Sequence, residues 1–189
     1  MCPRWFLPFL LLILWGCSGQ SALKPDEVLD ERTGITWAVL HQPIDFLQGA
    51  QSAVVVVGKR ASLAYLGPVD WNRSGDISYS LWIHGVPGDD RRIGDIHADG
   101  AVTLMLDDGP MVVSPEARKP SGEPYRPLAS WGQTAYFHLD VEGLKRIAAS
   151  RNLTLEFRAA DGSAVSFNSN RDTHAVLSEY LQSRNITGD

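Results

Sequence analysis

Residues 135–183, AYFHLDVEGLKRIAASRNLTLEFRAADGSAVSFNSNRDTHAVLSEYLQS, decide the fold class. The stretch reads as strand (135–139), helix (141–150), strand (153–159), turn, strand (164–168) and helix (173–183). Val141, Leu144, Ile147 and Ala148 form one apolar stripe at helical spacing. Asp140 precedes them as an N-cap, and Lys145 and Arg146 lie toward the C-terminal end, where the helix dipole favours cations. Asp172 stands in the same relation to a second helix, whose Val176, Leu177, Tyr180 and Leu181 face inward. Between the helices, Leu153, Leu155, Phe157, Val165 and Phe167 alternate with polar residues about Asp161-Gly162-Ser163, the pattern of a hairpin with one buried face. Two helices covering part of an antiparallel sheet define an α+β module.

Upstream the periodicity is of the β type throughout. Short runs at 35–40 (ITWAVL), 52–57 (SAVVVV), 61–71 (ASLAYLGPVDW) and 76–84 (DISYSLWIH) are separated by turn residues. In the last of these, Ile77, Tyr79, Leu81 and Ile83 alternate with polar neighbours, as a half-buried antiparallel strand requires. Asn72-Arg73-Ser74-Gly75 reads as a four-residue hairpin loop, and Asp107-Asp108-Gly109-Pro110 as a second hairpin between 102–106 and 111–113. Residues 85–100 and 114–127 are rich in glycine, aspartate and proline; they read as long loops and as the place to look for a binding surface. The expected fold is therefore α+β, a mostly antiparallel, sandwich-like β-sheet with two helices in the C-terminal third, formed as one globular domain by residues 34–189.

The N-terminal segment carries a different signal. Arg4 precedes an almost continuous apolar run from Trp5 to Trp15, interrupted by Pro8, and Gly16-Cys17-Ser18-Gly19 follows. A run of that length suits a secretory signal, roughly 7–15 residues, and falls short of the roughly 20 needed to span a bilayer as a helix. Leu14-Trp15-Gly16-Cys17 resembles the lipobox of bacterial lipoproteins, although Trp15 is bulkier than the residue usual there. That resemblance implies a signal peptide over 1–16, acylation (palmitate-type) of Cys17 and anchorage in a membrane through the N-terminal lipid. Ser18, rather than Asp, after the cysteine implies the outer membrane. Cleavage after Gly19 is the alternative, and would release a soluble periplasmic protein. Residues 17–33, polar and without sustained apolar period, read as anchor and flexible tether. The only cysteines are Cys2 and Cys17, so the domain holds no disulfide and no thiolate chemistry.

The opening ERTGITWAVLHQPIDF and the stretch YLGPVDWNRSGDISYSLWIHG, with the C-terminal run of elements, resemble a group of uncharacterised proteobacterial outer-membrane lipoproteins. The resemblance implies location and fold and transfers no site residue.

Composition narrows the function. The net charge of −5, with Arg91-Arg92 flanked by Asp89, Asp90 and Asp95, provides no basic stripe for nucleic acid. Phosphate-loop, dinucleotide, zinc-protease, serine-elbow and EF-hand signatures are all missing, so neither cofactor nor metal is expected. The acidic group Asp89, Asp90, Asp95, Asp99, Asp107 and Asp108 matches no calcium loop spacing. One constellation stands out on the inferred polar faces of two strands: Ser78, Ser80, Trp82 and His84 on one, Tyr136, His138 and Asp140 on the other. Were the strands neighbours, Trp82, His84, Tyr136 and His138 would line a shared surface for a ring or a metal. The plainer reading is that Trp82 and Tyr136 pack under a loop while the histidines are ordinary surface residues. Two functions follow: a non-catalytic envelope module contacting a protein or cell-wall partner, or a hydrolase or metal-dependent enzyme using His84, His138 and Asp140.

Overall fold

The computed structural model describes residues 25–49, 61–89, 93–116, 123–127, 129–169 and 171–186. In chain order the elements are β1 (Asp26–Asp30), β2 (Ile35–Val39), β3 (Ile44–Gln48), β4 (Leu63–Arg73), β5 (Asp76–Val86), β6 (Val102–Leu106), β7 (Gly109–Val112), β8 (Gln133–Leu139), α1 (Val141–Ala149), β9 (Thr154–Arg158), β10 (Ala164–Ser169) and α2 (Thr173–Ser183). Every strand pairing among the described residues is antiparallel. The α+β, mostly antiparallel class is as expected from the sequence, with the last helix in the C-terminal third.

β4 and β5 form the spine. They pair along their whole length, from Leu63 opposite Val86 to Arg73 opposite Asp76. The other edge of β4 forks: its first half takes β3, Leu66 opposite Ile44, and its second half takes β2, Val69 opposite Val39. The fork falls at Gly67-Pro68, where proline brings no N–H to either ladder. One branch continues through β2 to the edge strand β1, the other through β3, β10, β9 and β6 to β7. Apolar side chains of both branches and both helices, among them Phe46, Leu66, Leu104, Phe157, Leu144 and Tyr180, belong to one continuous core.

The C-terminal third forms as its local signals dictate. Asp140 Oδ1 accepts from Gly143 N at 2.7 Å and Asp172 Oδ1 from Ala175 N at 2.9 Å, each satisfying one orphan donor of a helix start. Leu144, Ile147 and Ala148 of α1 and Val176, Leu177, Tyr180 and Leu181 of α2 are buried. The two helices are joined by His174 Nδ1, 2.6 Å from the Ala148 carbonyl oxygen.

Five expectations change; in one, Gly109 and Pro110 belong to β7, so the second hairpin turns on Asp107-Asp108 alone. Residues 26–30, placed in the tether, form β1 and pair with β2 from Asp26 opposite Val39 to Asp30 opposite Ile35, so the fold begins earlier than residue 34. Residues 44–48 form β3, which the sequence reading passed over. The β4–β5 connection is a two-residue turn, Ser74-Gly75, both at positive φ (54° and 95°), the primed geometry that matches strand twist; Arg73 and Asn72 belong to β4. β5 is half-buried only at its start, since Ser80 to Val86 are buried on both faces. The apolar run 52–57 lies outside the described residues, as do Cys17 and the signal segment.

The two long connections are held by the sheet where they are described. Ile93 bridges to Ala159, and Gln133 accepts from Ile96 N while donating to the Gly94 carbonyl, both at 3.2 Å. Pro115 bridges to Phe137 along β8, and Glu116 N donates to the Tyr136 carbonyl at 2.7 Å.

Candidate functional site

The register of β5 on β8 makes the two strands neighbours. Trp82 lies opposite Tyr136, Ser80 opposite His138 and His84 opposite Thr134, so Trp82, His84, Tyr136 and His138 share one face. On that face the aromatic rings form a packed layer. Trp82 stacks on His84 at 5.6 Å and 17°, Trp71 lies 6.0 Å from Tyr136, and Trp37 meets Trp71 edge-on at 5.9 Å.

Tyr125 closes the layer over Trp82, 4.9 Å between ring centroids. It is 4% exposed, and its hydroxyl donates to the Pro68 carbonyl while accepting from Leu40 N, each at 2.9 Å. A β-carbon on Gly67 would fall 2.3 Å from the Tyr125 ring, so only glycine admits the tyrosine at the fork of β4. Tyr125 thus covers Trp82 and is held there by its buried phenol. Burial drives that phenol's pKa far above the ordinary tyrosine range.

Ser80 and one ring nitrogen of His84 are engaged within the layer. His84 is 1% exposed, with Nδ1 2.8 Å from Thr134 Oγ1. Its Nε2 is buried without a hydrogen-bond partner, and Gly132 lies so close that a β-carbon there would be 2.6 Å from it. Burial lowers the imidazole pKa, while the backbone at Ala129 and Gln133 acts in the opposite sense; the ring is a neutral packing element at pH 7. Ser80 Oγ accepts from Trp71 Nε1 at 3.1 Å and donates to the Glu116 carboxylate through a short bond. Burial, then Glu123 and Glu116, push the Tyr136 hydroxyl above the ordinary tyrosine range.

His138 is exposed at the far end of this face. Its cross-strand partner Ser80 stands four positions from His84, roughly 13 Å along the strand at ~3.3 Å per residue. Asp140 is spent on the α1 N-cap. His84, His138 and Asp140 therefore do not converge on one reacting atom, and proton transfer between them would need bridges longer than a hydrogen bond. Trp82, His84 and Tyr136 are brought together, but as interior rather than as a surface. Among the described residues, no three histidine, cysteine, aspartate or glutamate side chains cluster as metal ligands.

Sequence reasoning missed a buried charged group. Asp70, 4% exposed, accepts from Ala38 N at 3.1 Å, from the Tyr180 hydroxyl at 3.4 Å and from Arg184 Nε at 2.6 Å. Arg184 continues to Glu27 of β1 through a short bond. Burial pushes the Asp70 carboxyl upward, and Arg184, Ala38 N–H and Tyr180 pull it down. Burial works against the Arg184 charge too, but Asp70 and then Glu27 outweigh it. At Asp70 burial outweighs the three donors, so the carboxyl sits above the ordinary aspartate range, with the guanidinium the strongest partner of its charged form and the Tyr180 hydroxyl shared with the Ala38 carbonyl. The available signal was a lone aspartate between Val69 and Trp71 in an apolar run.

No family model matches the chain, and no curated protein and no solved structure matches it either. Among the described residues no helix is long and apolar enough to cross a membrane.

Proposed function

We propose that this chain is a lipid-anchored, non-catalytic module of the bacterial cell envelope, held at the outer membrane through Cys17 and contacting a protein or cell-wall partner. One observation carries the non-catalytic half. The residues best placed by sequence for chemistry are used for construction: His84 is sealed against Trp82, Ser80 bridges Trp71 and Glu116, and Asp140 caps α1. The anchored half is supported by residues 1–19 alone, through the short apolar run and the cysteine that follows it.

The position of β1 adds a geometric constraint to this reading. With Asp26 already in the sheet, only residues 18–25 separate the acylated cysteine from β1. Fully extended at ~3.5 Å per residue they reach roughly 28 Å. The domain is then held close to the lipid surface, so that its partner lies within the membrane-proximal layer.

Mass spectrometry of the N-terminal peptide from membrane fractions of cells expressing the full gene tests the reading. A thioether-linked, acylated Cys17, together with release of the protein to the soluble fraction by Cys17→Ser, is the expected result. An unmodified terminus within Ser18–Gln20 would overturn the anchor.

A further inference from the structure

Where β9 begins and β10 ends, the connections from α1 and into α2 run side by side. Between them the surface opens into a cleft of about 330 Å³ lined by Arg151, Thr154, Asn168, Ser169, Arg171 and Thr173. That volume lies at the lower end of the roughly 300–1,000 Å³ of small-molecule sites. Leu153 contributes an apolar floor, and the remainder of the lining is polar.

The chemistry of the lining is weighted toward donors. Each arginine carries a planar fork of N–H groups that stays charged at any physiological pH. Asn168 Oδ1 is already taken by the Thr154 hydroxyl at 2.9 Å, which leaves its amide NH₂ as the free end. Ser169 Oγ accepts from Arg171 N at 3.0 Å, which leaves its O–H to donate.

The nearby carboxylates are engaged or distant. Asp107 accepts from Arg151 N and Asn152 Nδ2, each at 2.7 Å, and Asp172 caps α2. Asp45 stands 4.0 Å from Arg171 Nη1, at the outer limit of an ion pair. Arg151 forms no side-chain ion pair among the described residues. In a chain of net charge −5, two guanidinium groups line this one cleft.

We propose that this cleft binds a small oxyanionic ligand, a carboxylate or phosphate carried on a hydroxyl-rich body, clamped between Arg151 and Arg171. The forks bind the anion, and Thr154, Asn168 and Ser169 bond the neutral hydroxyl or amide groups beside it. The inference rests on the binding-module reading for its biological role and is independent of the anchor.

The test is titration of the full chain, purified in detergent at low ionic strength and followed by amide NMR shifts, with three probes. These are inorganic phosphate, N-acetylmuramate as a carboxylate-bearing sugar, and N-acetylglucosamine as its uncharged counterpart. Saturable shifts at Asn152, Thr154, Asn168 and Ser169 are expected with at least one anion and not with N-acetylglucosamine. Binding of phosphate alone identifies a phosphate ligand, and binding of the sugar acid alone a carboxylate; both uphold the clamp.

Arg151→Gln/Arg171→Gln should weaken that affinity at least about tenfold, as removal of charge-assisted bonds does. Arg151→Gln alone, at an exposed side chain, should show part of the loss with an unchanged spectrum elsewhere. Silence with both anions, equal response to the uncharged sugar, or shifts that persist in the double variant would each overturn the proposal. A silent titration of a chain whose Cys17 is acylated removes the clamp while the envelope reading stands.

Discussion

The ring of Tyr125 fills the space that a side chain on Gly67 would need, 2.3 Å from the missing β-carbon, and its hydroxyl bridges Leu40 N to the Pro68 carbonyl. One residue from a proline-rich connection thereby fixes the point where β4 changes partners. Gly67→Ala should destabilise by about 1–3 kcal/mol through overpacking, because the atoms it meets belong to a ring locked on Trp82 rather than to a flexible chain end. Tyr125→Phe keeps the ring but leaves Leu40 N buried and unpaired, a loss of about 1–3 kcal/mol. Urea denaturation gives both values, and Gly67→Ala combined with Tyr125→Ala should cost less than the sum of the single changes.

Asp70 and Arg184 join the spine to the C-terminal end of α2, and Glu27 extends the link to β1. Removing one partner strands a buried charge, for which losses of about 3–5 kcal/mol are usual. Arg184→Met should fall near the lower end, because Ala38 N–H and the Tyr180 hydroxyl remain on the carboxylate. Asp70→Asn/Arg184→Met should recover much of that loss. A thermal melt in which the double variant is no more stable than Arg184→Met would show that the two residues act separately.

How much of this was legible follows from where the signals lie. In the C-terminal third the caps Asp140 and Asp172, the helical stripes and the hairpin glycine act within a few residues of one another, and the elements appeared where they were read. β1 was opaque because DEVLD is acidic and mostly exposed, and it is held by β2 and by an arginine far along the chain. Trp82 and His84 looked like a polar surface because the group that buries them, Tyr125, belongs to a segment whose prolines signalled only a loop. The adjacency of β5 and β8 was conjecture in the sequence, since 87–132 intervene, and only the register settles it. The same register separates His84 from His138 and so dissolves the catalytic trio.

His84 makes stability depend on pH in a defined direction. Burial holds its folded pKa below the ordinary 6.5, so the folded chain binds this proton less readily than the unfolded chain. Above about pH 6.5 both states are neutral and the group contributes no slope. Below that value the unfolded chain takes up a proton that the folded chain refuses, and stability falls by up to about 1.4 kcal/mol per pH unit until the folded pKa is reached. Urea midpoints of the wild type and His84→Gln between pH 7.5 and 5.5 isolate the effect. The wild type should lose stability relative to the variant as pH falls; parallel curves would assign the acid sensitivity elsewhere.

Truncation separates tether from fold. Deleting residues 18–24, which precede β1, should leave unfolding of the remaining chain unchanged within about 0.5 kcal/mol. Extending the deletion through Asp30 removes five cross-strand pairs with β2 and the Glu27 bond to Arg184. At ~0.2–1 kcal/mol per pair the cost should be about 1–5 kcal/mol. The loss also uncovers the outer edge of β2, where Ile35, Trp37 and Val39 alternate, and so turns an acidic edge into an apolar one of the same length. Light scattering at rising concentration should therefore show self-association of the longer deletion alone. Equal stability of the two deletions would return residues 26–30 to the tether.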